Sequence, residues 1–325
     1  MKTKKITALA LSSMLLLSGC GGKTVDGKSI AASTSISNIS ADTLYDQLSK
    51  GTSGKNALFS YVLDQLIDQK FPATDDMKKN AEDTYNQVLN SYTQQYGDED
   101  TAKKQLETAL KSSGSYKSID DYKKRLVYSM QYAEMMKSYI KKHFNTVFED
   151  YYKIANPRKV SIIAVSAADP TNPTADEKAN LKEVQDLLKE GQNFGTVAKK
   201  YSTDTNTKDA KGSLGIVDST SSLSDTYGTD VQSKATELKS GETSDVITGS
   251  SAFYILHCDT TDKETIKKEL KSVDINSPLI TYDNYLVYIV FNSYKINYND
   301  KTIKNTLQSF IKEQLKKRSD ERKDS

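Results

Sequence analysis

The side chains with chemistry to offer are few: two histidines, His143 and His257, and two cysteines, Cys20 and Cys258. Neither histidine stands at metal-ligand spacing, and there is no zinc pattern, no Gly-x-Ser-x-Gly elbow and no phosphate-binding glycine loop. His143 follows Lys141 and Lys142, where a cation suits a helix C-terminus. His257 and Cys258 end the apolar run that starts at Phe253, and Cys258 reads as a small strand residue with no base beside it. No metal and no cofactor are expected.

Cys20 is the exception. The chain opens Met-Lys-Thr-Lys-Lys, runs apolar from Ile6 to Leu17 and reaches Leu17-Ser18-Gly19-Cys20, which is the charged, apolar and small-residue order of an export signal. That stretch is too short to cross a hydrocarbon core, which takes about 20 residues. The Leu-Ser-Gly-Cys string resembles the lipobox of bacterial lipoproteins. The resemblance implies a signal peptide over 1–19, lipid on Cys20, and attachment to the extracytoplasmic face of the cell membrane through that lipid. Several acyl chains on one cysteine meet the requirement for stable anchoring.

Removing the signal takes away Lys2, Lys4 and Lys5, so the formal +2 becomes 2 − 3 = −1. Near-neutral charge leaves no footprint for nucleic acid. With Cys20 blocked, Cys258 has no disulfide partner, and stability must come from packing.

Residues 20–39, rich in Gly, Ser, Thr and Ala, read as a flexible tether. Helical patterns follow: a short one capped by Ser40 and stopped by Gly51, then Ala57 to Phe71, about Asp75 to Tyr96, Asp98 to Lys111, and Ser118 to Lys142. Past Asn156-Pro157 the texture changes. Val160 to Val165 is a β-branched run, helical patterns carry Leu181 to Leu188 and Phe194 to Tyr201, and strands are expected at Asp245 to Thr248 and Phe253 to Cys258. Helices return at Glu264 to Leu270, Tyr282 to Tyr294 and Lys301 to Lys317; the charged tail from Lys316 reads as a frayed, solvated end.

Three segments of the middle region carry a specific resemblance. Phe194-Gly195-Thr196-Val197-Ala198-Lys199-Lys200-Tyr201-Ser202-Thr203-Asp204 is similar to the Phe-x-x-x-Ala-x-x-Tyr-Ser-x-Asp stretch of the parvulin family of peptidyl-prolyl isomerases. Gly212-Ser213-Leu214-Gly215 resembles that family's Gly-Asp-Leu-Gly turn, and Leu238 to Val246 resembles its approach to the last strand, with Gly241 stopping the preceding helix. The helical flanks, the Glu149-Asp150-Tyr151-Tyr152 segment and the lipobox resemble the layout of PrsA-like foldases.

The implied fold is α+β: a discontinuous all-helical chaperone domain of the SurA/PrsA-like kind, 40–155 with 261–325, and an inserted small parvulin-like α+β domain over 156–260. The implied partners are unfolded exported polypeptides, and a homodimer is left open. The family's two active-site histidines are replaced, the first by Ile162 and the second by Tyr254. Asp204 stands where the family has Asp or Cys. Asp204 and Tyr254, joined by a hydrogen bond, are the expected polar pair, with Ile162, Leu214, Tyr227, Val231 and Thr248 lining a proline pocket.

Isomerising an X-Pro bond means twisting an amide past a barrier of about 18–20 kcal/mol, which takes an apolar ring pocket and suitable polar groups but no nucleophile. Losing both histidines implies weak or absent isomerase activity with peptide binding kept. Two alternatives stay open: an active isomerase using Asp204 and Tyr254, and a solute-binding lipoprotein built as two α/β lobes.

Overall fold

Polar caps cut the first half of the chain into helices. In the computed structural model the described residues are 24–25, 27–33, 38–272 and 278–323; the signal segment and Cys20 lie outside them. These residues divide into two compact units: the chain up to Val62 with Tyr298–Phe310, and Leu63–Asn297 with the chain from Ile311 on.

The first unit departs from the expected tether. Strands β1 (Thr24–Val25), β2 (Lys28–Ser33) and β3 (Asn38–Ser40) form an antiparallel sheet in that order. The signal for it is local: Gly27, beside the start of β2, takes a φ of 73° that favours glycine. Ser40 then caps α1 (Ala41–Lys50), accepting from Thr43 N–H. Helix α2 (Thr52–Lys70) starts five residues before its apolar stripe, and its Phe59 ring packs 5.8 Å from that of Phe310.

In the second unit, α3 (Asp75–Tyr96), α4 (Glu99–Ser112) and α5 (Ile119–Lys142) each begin at a side-chain cap, Thr74, Asp98 and Ser118, accepting from the third helical N–H. Tyr85, Leu89, Ala102, Leu106 and Leu110 bury a shared core among them. Helix α6 (Phe144–Ala155) follows after a break at His143.

The small sheet comes next. β4 (Arg158–Ser166), β5 (Ser213–Val217), β6 (Ile247–Thr248) and β7 (Ala252–Thr260) lie in the order β5-β4-β7-β6, all antiparallel. Gly212 to Gly215 is thus not only a turn, because most of it belongs to a strand paired with β4. A Cβ on Gly212 would meet the Ile162 carbonyl oxygen at 2.5 Å, which is why the chain can cross so close there.

β4 is buried on both faces and reads as a continuous apolar run for that reason. One face carries Val160, Ile162, Ala164, Tyr254 and Leu256, covered by Val231 and Ala235 of α10 (Thr229–Glu237), which follows α9 (Ser224–Tyr227). The other carries Ile163, Val165, Phe253 and Ile255 under α7 (Ala175–Lys189) and α8 (Phe194–Tyr201). Helix α10 ends before Leu238, so Gly241, with a φ of 80°, makes the turn into the sheet rather than the stop. Buried Cys258 sits on the first of these faces, and burial pushes its thiol up.

Helices α11 (Lys263–Ser272), α12 (Leu286–Asn292) and α13 (Lys301–Glu321) complete the chain. The tail is not a frayed end. Arg318 pairs with Asp150 at 2.6 Å and Asp283 at 2.7 Å, and Arg322 with the same two carboxylates at 2.6 and 2.9 Å. Tyr282 donates to Asp150 at 2.8 Å and meets the Tyr151 ring edge-on, while buried Tyr151 donates to Asp218 at 2.7 Å. Periodicity missed this because the tail's arginines meet carboxylates far away in sequence. Among the described residues both sheets are antiparallel, which is not the crossover-linked pair of α/β lobes of a solute-binding lipoprotein. No helix among them is long and apolar enough to cross a membrane.

Candidate functional site

Alternation along two adjacent strands decides which side chains meet. Ile162 of β4 lies opposite Leu256 of β7, and Ala164 lies opposite Tyr254. Ile162 and Tyr254 are therefore diagonal neighbours on one face. Of the expected pocket-lining residues, Ile162 and Val231 are fully buried and offer a ligand no surface, so both serve as core. Leu214 and Tyr227 are half-buried against that core.

Thr248 departs from its expected place. It is exposed and lies opposite Phe253, on the other face of the sheet; its neighbour Ile247 lies opposite Tyr254. The short β6 shifts which residue faces inward, and a one-position offset flips the face.

Asp204 is held by a loop stitched to β4. Thr203 N–H donates to the Ala164 carbonyl at 2.8 Å, and Ala164 N–H donates to Ser202 Oγ at 3.2 Å. One carboxylate oxygen of Asp204 accepts from Thr207 Oγ1 at 2.5 Å and from the Tyr227 hydroxyl at 2.9 Å; the other accepts from Asn206 N–H at 3.1 Å. The hydrogen bond expected from Tyr254 is thus made by Tyr227. The Tyr254 ring instead meets the Tyr227 ring edge-on, with centroids 5.7 Å apart.

Burial, then the bond to Asp204 and its charge, push the Tyr227 phenol up to about 12. Burial and the same charge also raise that of Tyr254. Both stay protonated at neutral pH, so they can donate hydrogen bonds but cannot act as bases.

Tyr254 fits because of Gly249. A Cβ there would lie 2.4 Å from Tyr254 Cε2, so the ring fills the space a side chain would take. Tyr254 is 7% exposed. Thr207, Ile247 and Gly249 were not singled out in the sequence. Thr207, three residues after Asp204, had a readable signal in the local Asx-type turn; Gly249 had none. Among the described residues no cluster of His, Cys, Asp and Glu is arranged to hold a metal.

Residues 163–260 match the Rotamase family, the PPIC-type PPIASE domain. Over 94% of its length the chain is 27% identical to proteins named foldase protein PrsA from Staphylococcus aureus strains MRSA252 and bovine RF122 / ET3-1, covering 92% of each. Among solved structures, PrsA from Bacillus subtilis aligns at 25% identity over 86% of this chain and 98% of its own, with a TM-score of 0.40. The foldase protein PrsA from Streptococcus pneumoniae aligns at 19% identity over 87% and 99%, with a TM-score of 0.38.

Proposed function

We propose that this protein is an extracytoplasmic foldase, held at the membrane by lipid on Cys20, which keeps exported chains from aggregating while they fold. In this reading the helical segments 40–155 and 261–325 do the holding, and the sheet domain contacts peptide with little or no isomerase catalysis. The observation that carries the second half is the state of the two histidine positions. Ile162 is fully buried, and Tyr254 is packed over Gly249 and against Tyr227. A pocket filled by its own side chains cannot seat a proline ring without moving them.

A second reading keeps isomerase activity, and the Asp204–Tyr227 pair favours it, since a phenol anchored on a carboxylate is a fixed donor at the pocket rim. A peptide cis–trans assay separates the two. No acceleration over the background of tens to hundreds of seconds is expected; acceleration that vanishes in Tyr227→Phe would establish the second reading. The foldase itself is tested by aggregation of a chemically unfolded client. Failure of the purified chain to suppress it or to raise refolding yield would reject the whole proposal.

A further inference from the structure

The face of the small sheet turned away from Tyr254 is not closed. Beside α7 and α8 it carries a cleft of about 490 Å³, with Phe194, His257, Ile255 and Val246 among its lining residues. His257 stacks on Phe194, with ring centroids 5.2 Å apart and planes 22° apart. Its Nδ1 is tied to Thr243 Oγ1 at 2.8 Å, which holds the imidazole in that plane. The result is an aromatic platform, the half-buried His257 ring backed by the buried Phe194 ring from another element.

Charge at the rim is unequal. Two exposed carboxylates, Asp245 and Asp259, line the cleft against one ammonium, Lys189. Asp259 accepts a hydrogen bond from Ser161 at 2.8 Å. The Asp245 carboxylate takes part in no hydrogen bond or ion pair among the described residues. An aromatic plane between carboxylates suits one side chain above others, a guanidinium. It is planar, weakly hydrated, stacks on rings and donates in a fork to carboxylates, whereas an ammonium is a strongly hydrated point charge.

We propose that this cleft binds an arginine of an extended client segment, the guanidinium lying on the His257 ring that Phe194 backs and pairing with Asp245 and Asp259. A neighbouring aliphatic side chain of the segment fits over half-buried Val246. The proposal rests on the foldase reading for its occupant but not on the Tyr254 face.

The test uses the full chain and three fluorescein-labelled octapeptides that differ only at a central Arg, Lys or Glu between leucines. The Arg peptide binds tightest, and Asp245→Lys weakens it about tenfold while strengthening the Glu peptide. Asp245 is exposed, and a gain for the Glu peptide cannot come from misfolding. Unchanged affinities in Asp245→Lys overturn the site; equal binding of the Arg and Lys peptides overturns the platform. If the wild-type chain protects no client yet binds the Arg peptide as described, the foldase reading fails and the cleft stands. If it protects clients and none of the peptides responds to Asp245→Lys, the cleft alone fails.

Discussion

The two faces of the small sheet are built from the same strands and have opposite fates. On one, Ile162 and Val231 are fully buried and Tyr254 is packed against its neighbours. On the other, the alternate residues Ile255 and His257 border an open cleft. Since neighbours on a strand point to opposite sides, apolar or aromatic residues at two alternate positions can close one face without touching the other. The comparison teaches that Ile162 and Tyr254 leave no hole on their side of the sheet; both side chains are absorbed into the core.

The sharpest way to break that comparison is to cut into the closed face. Ile162→Ala should cost about 2–5 kcal/mol in chemical denaturation, the range for a core cavity; a loss under 1 kcal/mol would mean that the residue borders a usable pocket. Gly249→Ala comes next, at about 1–3 kcal/mol, because the added methyl collides with the Tyr254 ring. Pairing it with Tyr254→Ala should recover part of the loss, and strict additivity would place the ring elsewhere.

Asp204→Ala removes the acceptor of the Tyr227 and Thr207 hydroxyls and should cost about 1–2 kcal/mol with no change in peptide cis–trans rates. The smallest effect is alkaline. The native Tyr227 phenol ionises near 12 and the unfolded one near 10, so its contribution is intact below pH 10 and is lost as pH rises through 12. Tyr227→Phe should flatten that part of the stability profile measured by denaturant melts, and an identical slope in both proteins would remove Tyr227 from the closed face.

The helices were readable because their ends were. Thr74, Asp98 and Ser118 are caps that sequence alone can place. Helix α6 was harder: Phe144, Val147, Phe148, Tyr151 and Ala155 keep helical spacing, but the helix has no side-chain cap and only His143 separates it from α5. Strand β5 was hidden by its glycine, which weakens any strand signal until β4 supplies the pairing.

In the candidate site, that Ile162 and Tyr254 share one face follows from the pairing of two strands the sequence marked. The partner of Asp204 was not legible. Tyr227 lies 23 residues on, and only the folded α9 brings its hydroxyl within reach. Nor could Thr248 be told from Ile247, since a two-residue strand has no alternation to read.

The Arg318 and Arg322 pairs span 168 and 172 residues back to Asp150. Such distant partners meet only when both ends of the chain are present: α6 can form from local residues, but its Asp150 carboxylate gains its ion pairs only when Arg318 and Arg322 reach it. Meanwhile Asp283, whose side chain is 3% exposed in the finished fold, must remain hydrated. A copy clipped before Arg318 would leave both carboxylates without their guanidinium partners, one of them nearly buried, at a cost of about 3–5 kcal/mol.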